Sequence, residues 1–214
     1  MAPDASLTRC RTPYQLRFCP ARYIDEGHVP TALLAVRKAL PDWRQRSAIN
    51  AWLLDELGLP TDYQLPPRLG GLALFGQVAL QHTLRCLGGL LHGQALRQAL
   101  TASAAQRVRA ALGETGHRYC LQQLDVIIGP WPTGWQGTLP DGELGGYLQT
   151  CGLEFWLSAA GDIDSGCARR LRVRLPPGPP SRYAALPAEN PALAQALCLK
   201  VARQVSPECC HLLK

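Results

Sequence analysis

The apolar residues of this 214-residue chain recur at three- and four-residue spacing, and prolines and glycines cut the rows into helix-length pieces. Such a pattern calls for packed helices, because the strict two-residue alternation of a half-buried strand is almost absent. Pro30 precedes a helical stretch over 31–40. After Pro41 comes a second, with Asp42 as its expected N-cap, Ile49, Trp52, Leu53 and Leu57 on one face, and Gly58 and Pro60 as its stop. Over 77–100, Leu80, Leu84, Leu87 and Leu91 form a stripe that Leu96 and Leu100 continue. Gly88, Gly89 and Gly93 interrupt that stripe and fit either a close helix crossing or a break near Gly93. Shorter helices are expected over 104–112 and 119–128, parted by Gly113 and Gly116, with Leu121, Leu124 and Ile128 on the second one's inner face. The stretch 144–159 carries Leu144, Leu148, Cys151, Phe155 and Ala159 as one inner row. Asn190 and Pro191 mark a last helix, a cap residue and then proline at the first helical position, with Leu193, Leu197, Val201 and Val205 buried.

One segment reads two ways. Residues 170–175 alternate Arg with Leu or Val as a strand would, yet Ile163, Cys167, Leu171 and Leu175 share a four-residue row. No strand partner is evident elsewhere, so helix is the expectation. The fold class is therefore all-α: a single compact helical domain over 1–214, of about eight or nine helices with Pro-rich loops. Residues 1–13 and 176–183, the latter opening Pro-Pro-Gly-Pro-Pro, are expected to be mobile.

Composition narrows the function classes. No run of eighteen apolar residues occurs, so no membrane-spanning helix is expected, and residues 1–16 lack the continuous apolar stretch of a secretory signal. A cytoplasmic location follows as the expectation. Nine scattered cysteines without a Cys-x-x-Cys pair fit reduced thiols acting as small apolar groups. A net charge of +6, mostly from arginine, would draw the chain toward an acidic protein, a nucleic acid or an anionic surface, and does not choose among them.

Enzymatic motifs are missing. Neither the P-loop nor the dinucleotide glycine pattern is present, and Gly70-Gly71 is followed by Leu-Ala-Leu where a P-loop would need Lys. Cys209, Cys210 and His211 form the densest set of metal-ligand types, but adjacent cysteines fit two tetrahedral positions poorly and a second pair is absent. No Gly-x-Ser-x-Gly or kinase set occurs. His82 and His92 fall in a core helix, and Asp55 and Glu56 point to different sides of theirs. The expectation is a non-enzyme with no catalytic residues, no cofactor and no metal.

Two features stand out as candidate partner-binding residues. Trp131 and Trp135 sit in a loop with Pro130, Pro132, Gly129 and Gly134, either as rigid aromatic contacts or folded back as a lid on the core. Arg169, Arg170, Arg172 and Arg174 put four cations into six residues, either a solvated basic face or a site for an acidic partner or phosphate.

Several ordered segments carry a resemblance: 15–24 (QLRFCPARYI), 40–63 with LPDWR and NAWLLDELGLPTDY, 91–100 (LHGQALRQAL), 128–136 (IGPWPTGWQ), 152–157 (GLEFWL) and 204–214 (QVSPECCHLLK). Together they resemble the YscK/PscK type of the K component of the type III secretion injectisome. Residues 1–13 and 176–180 lie outside the matching pieces.

The resemblance implies a cytoplasmic structural adaptor of the sorting platform, at the cytoplasmic face of the inner membrane. It would link the pod-forming Q component to the cytoplasmic domain of the membrane-ring D protein, with the L component and the secretion ATPase as indirect partners, and would be required for secretion. It implies no catalytic motif and no nucleic acid. The competing reading from charge alone is a basic nucleic-acid-binding regulator, which requires salt-sensitive binding. An unrecognised hydrolase is the weakest of the three.

Overall fold

The longest apolar stripe of the sequence becomes the centre of the structure, and two glycines fix how its helix crosses the next. The computed structural model describes residues 10–161, 165–178, 182–184 and 189–213. Nine α-helices are present among them: α1 Pro13–Phe18, α2 Leu33–Ala39, α3 Ser47–Glu56, α4 Gln77–Leu90, α5 Gly93–Gln98, α6 Ala102–Gln123, α7 Leu144–Ala160, α8 Gly166–Val173 and α9 Pro191–Val205. Short 3-10 segments connect several of them, and no strand occurs among the described residues. The chain is the all-α single domain that the periodicity requires.

Helices α4 and α7 cross in contact, with α6 and α9 packed on the pair. At the crossing a Cβ on Gly88 would stand 1.9 Å from the Leu148 carbonyl oxygen, and one on Gly152 would stand 2.1 Å from that of Leu84. Both contacts are to backbone, which cannot swing aside, so only glycine lets the helices approach this closely. Around the crossing Leu80, Leu84, Leu87, Leu148, Cys151, Phe155, Leu197 and Val201 are wholly buried in one continuous core.

The stripe over 77–100 resolves into two helices. It stops at Leu90, turns through Leu91 and His92, and restarts at Gly93, so the close crossing and the break both occur. Leu96 stays in the core, but α5 ends at Gln98 and Leu100 is 89% exposed, contrary to its place in the stripe. The pair of helices expected over 104–128 forms α6, kinked at Gly113, whose φ of +71° lies where only glycine rests without strain. This pair starts at Ala102 and ends at Gln123, so Leu124 is buried just after the helix, and Ile127 rather than Ile128 fills the core.

Capping also departs from expectation at two places. Asp42 forms no side-chain cap; it accepts from Arg46 instead, and α3 begins only at Ser47. Asn190 precedes α9 without a capping side-chain bond, leaving Pro191 to start the helix. Elsewhere caps hold: Thr12 and Gln15 form a reciprocal capping box on α1, and Ser165 accepts from the Cys167 and Ala168 amides to start α8. Residues 170–175 are therefore helical through Val173.

Residues 20–59 build a second, smaller core from Ala21, Ile24, Leu33, Trp43 and Leu53. Arg44 lies over the Trp43 ring at 4.5 Å and, like Arg37, pairs with Glu26. Trp52 does not join this core and remains partly exposed. Of the stretches expected to be mobile, residues 1–9 and 179–181 lie outside the described residues. Thr12 caps α1, and Tyr183 is buried.

Candidate partner-binding surfaces

The tryptophan loop follows from its punctuation. Gly129 and Gly134 take positive φ, and between them the chain turns back over α4 and α7. Trp135 is wholly buried edge-on to Phe155, with ring centroids 5.0 Å apart. Trp131 stands 6.5 Å from Trp135, partly buried, and its indole N–H donates to the Leu124 carbonyl at 2.7 Å. Gln136 donates to Leu90 O at 2.9 Å, and the Gly137 amide donates to Leu91 O at 2.8 Å, so the loop satisfies the carbonyls that open where α4 ends. The two indoles form a lid on the core; Trp131 keeps an outer edge and Trp135 keeps none.

Beside Gly137, where the loop leaves the tryptophans, lies a buried polar node. The His92 Nδ1 donates to the Gly88 carbonyl at 2.8 Å, which fixes the tautomer because a carbonyl only accepts. Its Nε2 is then an acceptor, with the Tyr147 hydroxyl at 3.1 Å and that of Tyr183 at 3.3 Å. Burial pulls the His92 pKa down to about 4, so the ring is neutral at physiological pH. This is a structural tie among α4, α7 and residues 182–184.

The arginine cluster divides between inside and outside. Arg170, on α8, and Arg174, the residue that caps its C-terminus one turn later, are wholly buried. Arg170 donates to Leu16 O at 2.9 Å, Gly166 O at 3.1 Å and Arg17 O at 2.9 Å, and lies 4.4 Å from the Tyr63 ring centroid. Arg174 donates to Ala73 O and Phe75 O, both at 2.6 Å, and burial lowers its pKa to about 9. Both guanidinium groups thus close backbone turns instead of facing a partner. This corrects the expectation of a four-arginine contact surface: the row at 166, 170 and 174 adjoins the apolar row at 167, 171 and 175, so both rows turn inward.

Arg172 forms a two-bonded pair with Glu154 at 3.1 Å, and exposed Arg169 donates to Gly58 O at 2.9 Å. Only these two of the four present charge near the surface.

A surface that the sequence reading missed lies between α1 and α3. Tyr14, Phe18, Cys19 and Arg22 face Gln45, Ser47, Ala51 and Leu54 across an open groove of about 500 Å³, floored by Asn50. Tyr14 is 67% exposed, and its ring lies tilted against that of Phe18, one turn away, with centroids 5.2 Å apart. The signal was present in Thr12-Pro13-x-Gln15, a helix start that places aromatic residues 14 and 18 on one face.

Catalytic chemistry finds no such assembly. Among the described residues no three of His, Cys, Asp and Glu come together as a metal site. His82 and Cys86 are adjacent on α4, but Cys86 is wholly buried under α6 beside Cys120. No helix among the described residues is long and apolar enough to cross a membrane.

Comparison with known proteins agrees with this arrangement. The family model described as YOP proteins translocation protein K (YscK) matches residues 10–214. The chain belongs to the YscK family. Yop proteins translocation protein K of Yersinia pseudotuberculosis serotype I (strain IP32953) is 39% identical over 203 residues, covering 95% of this chain and 97% of that protein. The Yersinia enterocolitica protein of the same description matches to the same extent. Among solved structures, the cytoplasmic domain of the type III secretion sorting platform protein PscK from P. aeruginosa superposes with a TM-score of 0.77 at 50% identity, over 95% of this chain and 99% of that one. Membership in the YscK family thus extends across both cores, the tryptophan loop and α8.

Proposed function

We propose that this chain is a non-enzymatic structural adaptor of a type III secretion sorting platform, in the cytoplasm at the inner-membrane face. It links the pod-forming Q component to the cytoplasmic domain of the membrane-ring D protein, and secretion depends on it. The observation that carries this reading is the likeness, over 95% of this chain, to the cytoplasmic domain of PscK, a sorting-platform protein. The L component and the secretion ATPase are then reached indirectly. The mechanism is positional: a rigid body with two separate faces holds each pod at a fixed distance from the ring. Rigidity is supported by the glycine crossing and by buried arginines that tie distant turns together.

The surfaces available to such partners are limited. The outer edge of Trp131 and the Arg169 and Arg172 side of α8 remain from the sequence candidates, and the α1–α3 groove is added to them. The test is co-purification and calorimetry of the full chain with the Q component and, separately, with the cytoplasmic domain of the D protein. Binding to both is expected. Binding to neither by a folded chain that shifts DNA at physiological salt would replace the adaptor with the nucleic-acid reading.

A further inference from the structure

We propose that Cys10 and Cys209 form a thiol–disulfide exchange site, at which a low-molecular-weight disulfide such as oxidised glutathione converts the two thiols into one cystine. Their sulfur atoms lie 3.4 Å apart although 199 positions separate the residues. Both are free thiols. A disulfide bond is ~2.05 Å long, so about 1.3 Å of approach remains, a shift that side-chain rotation at two cysteines can share.

The fold holds both backbones at the contact. Next to Cys10, the Arg11 amide donates to Leu74 O at 2.7 Å; the Cys209 amide donates to Ser206 O at 3.0 Å within the 3-10 segment Pro207–Leu213. Access is uneven. Cys10 is partly exposed and Cys209 is buried. Burial, together with Cys10 and Glu208 nearby, pushes the Cys209 thiol up to about 12, so Cys10 is the sulfur that a soluble reagent engages first. Cys86 and Cys120 are also neighbours, the Cys120 thiol pointing at Cys86 O at 3.5 Å, but both are wholly buried and no reagent reaches them without unfolding.

The reaction balances in two exchanges. The Cys10 thiolate attacks one sulfur of oxidised glutathione, breaking its S–S bond, forming a mixed disulfide and releasing one glutathione thiolate. Cys209 then attacks the Cys10 sulfur, its proton passing to the departing sulfur, so the second glutathione leaves as a thiol, and the first glutathione thiolate takes up the proton that Cys10 released to water. The two protein thiols are oxidised by two electrons, which reduce one glutathione disulfide to two glutathione thiols. The new bond joins the described start of the chain to its last turn. A loop this long restricts the unfolded chain strongly, so the oxidised form should melt higher by about 5–10 °C.

The 214-residue chain, incubated with oxidised glutathione at mildly alkaline pH, is mapped by proteolysis and mass spectrometry without reductant, and its melting is followed in parallel. The expected result is a Cys10–Cys209 cross-link with loss of ~2 Da, a higher Tm, and reversal of both by dithiothreitol. Cys10→Ser should abolish the link and the Tm gain, and Cys210→Ser should keep both, which separates Cys209 from its neighbour. Glutathione retained on Cys10 without closure, or a cross-link found only between other cysteines, would overturn the proposal. Since Cys10→Ser alters a partly exposed residue, the result does not depend on whether a Cys209 variant folds.

Discussion

Arg174 shows how one side chain can take a role that its charge disguises. It closes the turn over residues 73–75 from within the protein, where its two short bonds to carbonyls replace bonds to water. Arg174→Ala leaves two buried acceptors and a cavity, and should destabilise the fold by about 3 kcal/mol, read as a fall in denaturant midpoint at unchanged slope. Arg169→Ala, at an exposed position, should cost under about 0.5 kcal/mol in the same measurement. His92 offers a pH test. Its pKa is near 4 in the fold and about 6.5 when unfolded, so the unfolded state takes up the proton first as pH falls. Its contribution is complete above about pH 6.5 and is lost between there and about pH 4, for a total of ~3 kcal/mol. His92→Gln, compared with the parent by urea unfolding at pH 7 and pH 4.5, should show a smaller loss of stability over that interval. Sequence disclosed the arginines and histidines but not their sides. Arginine density reads as a solvated face unless neighbouring rows are compared, and a histidine's partners come from segments far along the chain.

At the scale of elements the sequence was most readable where the apolar row was longest. All five inner positions expected for α7 are buried, whereas in α9 only Leu197 and Val201 of the expected row are, Leu193 and Val205 at its two ends being half-buried and Ala194, Cys198 and Ala202 filling the rest of the face. Readability failed at Leu100, which lies beyond the end of α5, and at Trp52, which continues the apolar spacing in the middle of α3 but stays outside the small core. The glycines of the α4–α7 crossing give a sharp contrast in substitution. Gly88→Ala and Gly152→Ala each drive a methyl into a backbone carbonyl and should cost more than about 3 kcal/mol or prevent folding. Gly142→Ala, with open space around its position, should stay within about 0.5 kcal/mol by thermal melting. The α1–α3 groove escaped notice because its two walls are far apart in sequence and neither is strongly apolar alone.

For the whole molecule, the resemblance located the family where patterning could not. Periodicity specifies helices and a core, whereas a positional role leaves no motif of reactive residues to find. If the exposed edge of α8 meets an acidic partner, Arg169→Glu should weaken binding about threefold to tenfold at low salt, and the difference should shrink as ionic strength rises. Calorimetry at two salt concentrations checks this. A salt-independent loss would instead point to a disturbed fold.

The hydrogen bond from Arg170 to the carbonyl of Leu16 spans 154 positions. A ribosome adding about 5–20 residues per second needs roughly 8–30 s to cover that distance, so α1 emerges long before the side chain that completes its turn exists. Its aromatic residues must wait in solution or be sheltered through that interval. Synthesis of this protein thus carries a built-in delay between its first helix and its finished form.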